Sequence, residues 1–484
     1  MKKVFLFLTL LPLLIIGLAS TSYGWQGRMG GMGDPYGLVQ DESDFLIHPA
    51  KIANGKGVRF YGDYRFTYTG VLDWNAEYSG FTNFSTSGQE YRHDALLGAA
   101  FPLGSGRMGF FFEYSGKRAD YDGADSGWPS TYTLTSDLDN VALRLLYGLP
   151  VGSFNLGGEV QFAYRQEENK TSWYTGDGVF SNYFGFGNYL YRPSIMSFMV
   201  PYDSNYWETL FKGSLEGKVG SLDLELTLRG GFVFGGDNQF DYALPIIEYA
   251  KLDGNVSGWR IGGDLWLRYP LNDSLTLPFL VRIDYQEKTR DGDGAGVGTL
   301  TGIDFYYEHK EKPFKIEVGG GIDKKLASRA RIAAGLYYNY LQGADEIRLN
   351  RSDIGVPYNY DSPASTEHRV VVRLAGEHEF SPMVALRMGV NFFYGWVQAD
   401  YNYFIPLPPW NDRSALNGNR WGINASLGGT IKFKPVTLEP FIAGGYQSLK
   451  LSGNQIFNGA LINKQDDTRN QWYIGGGFSV LYDL

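Results

Sequence analysis

Stretches of about ten residues in which apolar and polar side chains alternate with a period of two recur from Gly57 to Leu484, and the connections between them are by turns short and long. In "VRFYGDYRFTY" one parity carries Val58, Phe60, Gly62, Tyr64, Phe66 and Tyr68, and the other carries Arg59, Asp63, Arg65 and Thr67. "VALRMGVNFFYGW" splits in the same way, with Val384, Leu386, Met388, Val390, Phe392, Tyr394 and Trp396 set against Arg387, Gly389, Asn391 and Gly395. "SLDLELTLRGGFVF" sets Leu222, Leu224, Leu226, Leu228, Phe232 and Phe234 against Asp223, Glu225, Thr227 and Arg229. Alternation alone also suits a soluble sandwich with one buried face.

The connections discriminate between these folds. Short turns read at 102–106, 148–152, 219–221, 270–274, 323–329, 380–383 and 433–436, and longer connections near 75–89, 116–134, 166–205, 235–254, 287–312, 342–366, 399–418 and 452–469. A soluble sandwich has no reason to alternate short with long, whereas a transmembrane barrel keeps short turns on one side and long loops on the other. Seven turns and eight loops predict sixteen antiparallel strands, all-β, with fourteen as the alternative if the untidy stretch 299–322 holds one strand fewer. Aromatics near strand ends, such as Tyr68, Tyr114, Tyr147, Tyr164, Tyr269, Tyr285, Tyr340 and Trp396, suit interfacial girdles.

Composition narrows the function classes. Aromatics at 16% and 64 glycines in 484 residues exceed ordinary usage, in which glycine is about 7%. Cysteine is absent, which excludes disulfides, thiolate metal sites and haem attachment through CxxCH. The net charge of −9 offers no basic face for nucleic acid.

The first 24 residues, "MKKVFLFLTLLPLLIIGLASTSYG", follow the order of a secretory signal: two lysines, an apolar run from Val4 to Leu18, then the small residues Ser22 and Gly24. The run is shorter than the ~20 residues of a spanning helix. The expected organisation is a signal over 1–24, a plug over 25–56 and a barrel over 57–484. "WYIGGGFSVLYDL" at 472–484 alternates to its last residue, so the final strand is expected to pair with the first near Val58 and leave no free edge. It also resembles the terminal signal that barrel-assembly machinery reads in bacterial outer-membrane proteins, with Leu484 in the usual phenylalanine place.

The segment 25–56 does not alternate, and its apolar cluster Phe45, Leu46 and Ile47 ahead of Pro49 needs somewhere dry to sit. "VQDESDFLIHPAKI" at 39–52 resembles the line "ADDASALYYNPAGL" of outer-membrane long-chain fatty-acid and hydrocarbon transporters of FadL/TodX type. Asp41, Ser43, Pro49 and Ala50 match, while Gln40 replaces an aspartate and His48 an asparagine. The resemblance covers about thirty residues by motif and the barrel by architecture. It implies an outer-membrane location, a hatch inside the barrel built by Asp41, Ser43, Phe45, His48, Pro49 and Ala50, and passive uptake of small hydrophobic molecules such as fatty acids or aromatic hydrocarbons.

By parity the lumen receives Arg59, Asp63, Arg65, Arg144, Arg229, Arg260, Asp264, Arg282, Arg373 and Glu377, along with Glu225, Arg268, Asp284, Glu317, Arg331, Arg387, Arg420 and Glu439. Mixed charges inside a barrel must be hydrated or paired, so such a lumen holds water or anchors a polar plug. No continuous greasy tunnel is visible, and lipophilic cargo would bind among the loops and leave by a local or lateral path. The longest loop, 171–202, carries Trp173, Phe180, Tyr183, Phe184, Phe186, Met196 and Phe198, which read either as an outer hydrophobic groove or as a loop packed on itself over the mouth. A hydrophilic porin, or a conduit sheathing a partner protein, is the alternative. "DGDGAGVG" at 291–298 is one copy of half a calcium repeat, and the five histidines show no ligand spacing, so no metal, cofactor or catalytic residue is expected. The partners expected are outer-membrane lipid, the assembly machinery and a small-molecule cargo.

Overall fold

The computed structural model describes residues 26–78, 82–125, 130–175, 202–236, 238–243, 248–298, 303–352, 357–361, 364–406, 409–457 and 460–484. A single closed antiparallel sheet takes in all of the barrel part, with β1 (Arg59–Tyr78), β2 (Thr82–Leu103), β3 (Gly106–Asp125), β4 (Ser130–Val151), β5 (Phe154–Thr175) and β6 (Tyr202–Val219) in order. There follow β7 (Leu222–Phe234, continued by Asn238–Ala243), β8 (Glu248–Asn272), β9 (Leu275–Gly298), β10 (Asp304–Glu311 with Phe314–Ala327) and β11 (Ala330–Arg351). The last five are β12 (Pro357–Asp361 with Ala364–Ser381), β13 (Val384–Pro406), β14 (Pro409–Phe433), β15 (Val436–Phe457) and β16 (Ala460–Asp483).

The two pieces of β7, of β10 and of β12 share the same neighbours on both sides, so the strand count is sixteen. The stretch that made fourteen an alternative is β10, whose two pieces part at Lys312 and Pro313: Lys312 N still donates to Ala344 O at 2.8 Å and Pro313 O accepts from Gln286 N at 3.1 Å, but proline has no N–H to donate. Closure is made by β16 against β1, from Arg59↔Asp483 to Tyr78↔Gln465, and no edge remains.

The two parities separate as the alternation predicts. Phe60, Phe66, Leu228, Phe232, Met388, Phe392 and Trp396 are exposed on the outer face, while Asp63, Glu225, Thr227 and Arg387 are buried on the inner one. A girdle of rings closes the outer apolar band near the long-loop side. Tyr68 lies 5.0 Å from Tyr91 and 5.2 Å from Trp472, and Trp259, Tyr285, Phe314 and Tyr340 follow one another at 5.1, 6.5 and 6.1 Å. Rings with an apolar body and a polar tip suit this boundary. Leu336 stands exposed between the girdle and the short-turn end of β11. Replacing it with arginine should cost about 2–4 kcal/mol, read by urea unfolding in lipid vesicles, because the charge is forced into hydrocarbon.

Among the described residues the longer connections are for the most part strand. The β1–β2 hairpin stays paired to Tyr78↔Thr82, β3–β4 to Asp125↔Ser130 and β13–β14 to Pro406↔Pro409. Runs rich in threonine and tyrosine sustain a ladder once it has begun, and their polar residues disguised them as loops.

Candidate functional site

Inside the barrel the N-terminal segment folds into a short helix α1 (Gln26–Gly31) and two 3-10 turns, Glu42–Leu46 and Pro49–Asn54. Asp41 starts the first turn: its carboxylate accepts from Ser43 N at 3.0 Å, while Asp44 reaches back to Asp41 N at 2.9 Å, a reciprocal cap. Pro49 opens the second turn, where its missing N–H costs nothing. Phe45 then packs against Tyr61 and Phe111 on the inner wall, at 5.5 and 5.4 Å.

A segment with so little regular structure leaves its carbonyls without internal partners, and the wall supplies them. Arg373 donates to Tyr36 O at 2.8 Å, Arg268 to Leu38 O at 3.2 Å, Arg144 and Lys212 to Leu46 O at 2.6 and 2.7 Å, and Arg107 to Gly57 O at 2.6 Å. Neutral donors complete the set: Asn391 reaches Gly33 O at 2.6 Å and Ser426 reaches Gly31 O at 3.2 Å. Such close approach requires bare wall. A Cβ on Gly157 would strike Ala50, one on Gly389 would strike Met32, and one on Gly428 would sit 2.7 Å from Gly31.

The centre of the clamp is a buried charge cluster. Lys51 lies 3.0 Å from both Asp44 and Glu225, and 4.8 Å from the ring of Trp266, which is fully buried. His48 bonds Thr227 Oγ1 through Nδ1 at 2.6 Å and the Tyr36 hydroxyl through Nε2 at 3.2 Å. Gln40 donates to Glu225 at 2.7 Å, and Ala50 N donates to Ser214 at 2.6 Å.

Burial, reinforced by the Lys51 ammonium, lowers His48 from 6.5 to about 3, so the imidazole is neutral when docked. An undocked plug therefore binds a proton that the docked one refuses. The imidazole thus supports docking fully above pH 6.5 and withdraws that support as the medium is acidified toward pH 3. Burial also raises Asp44, which takes up a proton more readily when docked and so trims part of this loss. On going from pH 7.5 to pH 5, the protease sensitivity of the plug should shift further toward cleavage in the unsubstituted protein than in His48→Gln.

Arg59 meets Asp483 at 2.5 Å at the short-turn mouth, Asp63 accepts from Ser479 and Arg65, and Arg65 lies 3.6 Å from Asp34 of the plug. Arg144 pairs with Glu159 at 2.9 Å, Arg260 with Glu208 at 2.9 Å, and Arg373 with Glu317 at 2.5 Å. Asp264 joins Arg229 and Arg282, and Glu377 joins Arg387 at 3.2 Å. Arg282 also covers the Tyr36 ring at 4.2 Å. Of the outer-loop set, Trp173 falls on the last turn of ladder in β5, and Phe180, Tyr183, Phe184, Phe186, Met196 and Phe198 lie outside the described residues. Tyr36, Asp44, Lys51 and Trp266 escaped the sequence reading. Lys51 could have been found, since it sits within the matched line directly after Pro49 and Ala50.

Above the plug lies a cavity of about 710 Å3. Leu46 and Ile47 of the plug line it, with Leu210, Phe314, Leu341 and Val397 and the polar heads of Lys212, Arg229, Arg260, Arg282, Arg369 and Arg420. Pro313 and Gly343, where the β10 ladder is interrupted, form part of its side wall. Among the described residues no group of three or more acidic or histidine side chains could hold a metal ion.

The fold is a closed sixteen-stranded antiparallel β-barrel with its N-terminal segment docked against the inner wall. No protein-family model and no curated protein sequence matches the chain. Among solved structures it is similar to a deltaS2S3 mutant of the TodX monoaromatic hydrocarbon channel (12% identity, 96% of this chain and 99% of that one, TM-score 0.45). It is similar also to a Pseudomonas aeruginosa FadL homologue (12%, 96% and 99%, TM-score 0.44) and to the Pseudomonas putida toluene transporter TodX (12%, 94% and 98%, TM-score 0.41).

Proposed function

We propose that this chain, exported by its first 24 residues to the outer membrane of a Gram-negative-type cell, is a channel for passive uptake of small hydrophobic or amphipathic molecules, with 26–56 as its hatch. The observation that carries the reading is the chamber above the plug: an apolar floor at Leu46 and Ile47, apolar side walls and cationic heads, in a size that holds a small ligand. Access by lipid-soluble cargo does not require the plug to leave, because the chamber reaches the wall at Pro313, whose missing N–H leaves one rung unmade opposite Gln286 of β9. No catalytic residue is assigned. The hydrophilic-porin alternative needs an open lumen, and the buried clamp around Lys51 opposes one.

The test is purified protein in planar bilayers together with a fluorescent arylamine probe. A closed pore with saturable binding, displaced by a fatty acid or an aromatic hydrocarbon, is the expected result. A large steady conductance without saturable binding overturns the reading in favour of a porin.

A further inference from the structure

The chamber ends on its outer side in a layer of wall residues that neither the plug nor the proposed uptake role explains. Inward positions on a strand follow one another every second residue. On β9 the last residue lining the chamber is Gln286, and the next inward positions are Lys288 and Arg290; on β10 it is Pro313, followed by Glu311. On β6 it is Leu210, followed by Glu208 and Tyr206, and on β5 the same row climbs from Gln161 to Glu167.

These next positions are bonded to one another across the fold. Glu167 accepts from Arg290 and from the Tyr206 hydroxyl, and lies 3.5 Å from Lys288. Arg290 also pairs with Glu311, which lies 3.1 Å from Lys288. Strands β6, β7 and β8 stand between β5 and β9, so four strand spacings of ~4.8 Å separate the two along the wall. Direct bonding over that span requires the wall to be drawn inward, and the outer piece of β7 does approach β9 past β8. Arg290 and Tyr206 are 1% and 2% exposed, so the cluster is packed at its centre. On the opposite wall the corresponding layer is apolar, with Val397, Leu416, Leu449 and Leu451 all buried.

We propose that Glu167, Lys288, Arg290 and Glu311 form an extracellular salt latch over the chamber that, by parting, admits ligand from outside. Buried, multiply bonded ions cost more to part than exposed pairs, because each must be rehydrated. The latch therefore sets a threshold on access to the chamber. The inference rests on the chamber described above and is independent of which cargo passes.

The chain has no cysteine, so a single Gln286→Cys reports on the chamber without background. A membrane-impermeant, negatively charged methanethiosulfonate is applied to the outer face of intact cells, with assembly verified by heat-modifiable migration. Labelling of Cys at 286 is expected to be slow with the latch intact and at least roughly tenfold faster with Glu167→Gln, the equivalent of about 1.4 kcal/mol. Tyr206→Phe, which removes one hydroxyl and no charge, should give a smaller increase in the same direction and serves if Glu167→Gln does not assemble. Equal rates in the intact and assembled latch variants overturn the latch. Failure of saturable probe binding with latch-dependent labelling retained would instead count against the uptake reading alone.

Discussion

Excising residues 26–56 should convert a closed channel into one with a steady open level in planar bilayers, while the barrel still assembles. The wall does not depend on the plug for closure, since β1 meets β16 along its whole length through backbone bonds. The cations that the plug occupies keep partners of their own: Arg144 and Lys212 retain Glu159, Arg268 retains Asp323, and Arg373 retains Glu317. Those pairs would then face water, where hydration replaces the lost carbonyls at small cost. A sixteen-stranded barrel without internal filling is wide enough for an aqueous channel. If the excised protein is as silent as the full chain, the segment is not the barrier.

Lys51→Met is expected to undock the plug more completely than any other single substitution in it. The methionine fills the space under Trp266, but Asp44 and Glu225 are left as two buried carboxylates without their shared cation. Orphaning a buried ion costs about 3–5 kcal/mol, which raises the undocked population roughly a hundred- to a few-thousand-fold. The readouts are intermittent opening in bilayers and protease cleavage within 26–56. Replacing all three charges at once, Lys51→Met with Asp44→Asn and Glu225→Gln, should restore most of the protection, because no unpaired charge then remains. Failure of the triple variant to recover would mean that unpaired charge is not what undocks the Lys51→Met plug.

The barrel was legible because its physics is local. Each residue sees either hydrocarbon or lumen according to parity, and Arg387 beside Met388 declares the two sides without reference to any other strand. The plug was legible as a segment that breaks the alternation, and its cap at Asp41 and Ser43 could be placed by resemblance. What joins plug to wall could not be read. Lys51 finds Glu225, and Gly389 makes room for Met32, through distances set only when the sheet closes. Nor was the layer above the chamber visible: Ala399 and Leu416 lie in a stretch whose polar residues suggested a loop, so their inward parity was never counted. The interruption in β10 lay inside the stretch 299–322 whose strand count stayed open, and Pro313 explains it as one broken rung within a single strand.

The partition of side chains between lipid and a filled lumen is tested most directly by spin labels placed singly from 384 to 396 in liposomes, read for collisions with oxygen and with a water-soluble nickel chelate. A plugged transmembrane barrel predicts high oxygen access at 384, 386, 388, 390, 392, 394 and 396. The positions between, which include Arg387 and Asn391 against the plug, should be shielded from both quenchers; 389 is left unlabelled, because a side chain there would strike Met32. A helical period in the oxygen signal, or chelate access at every position, would contradict it.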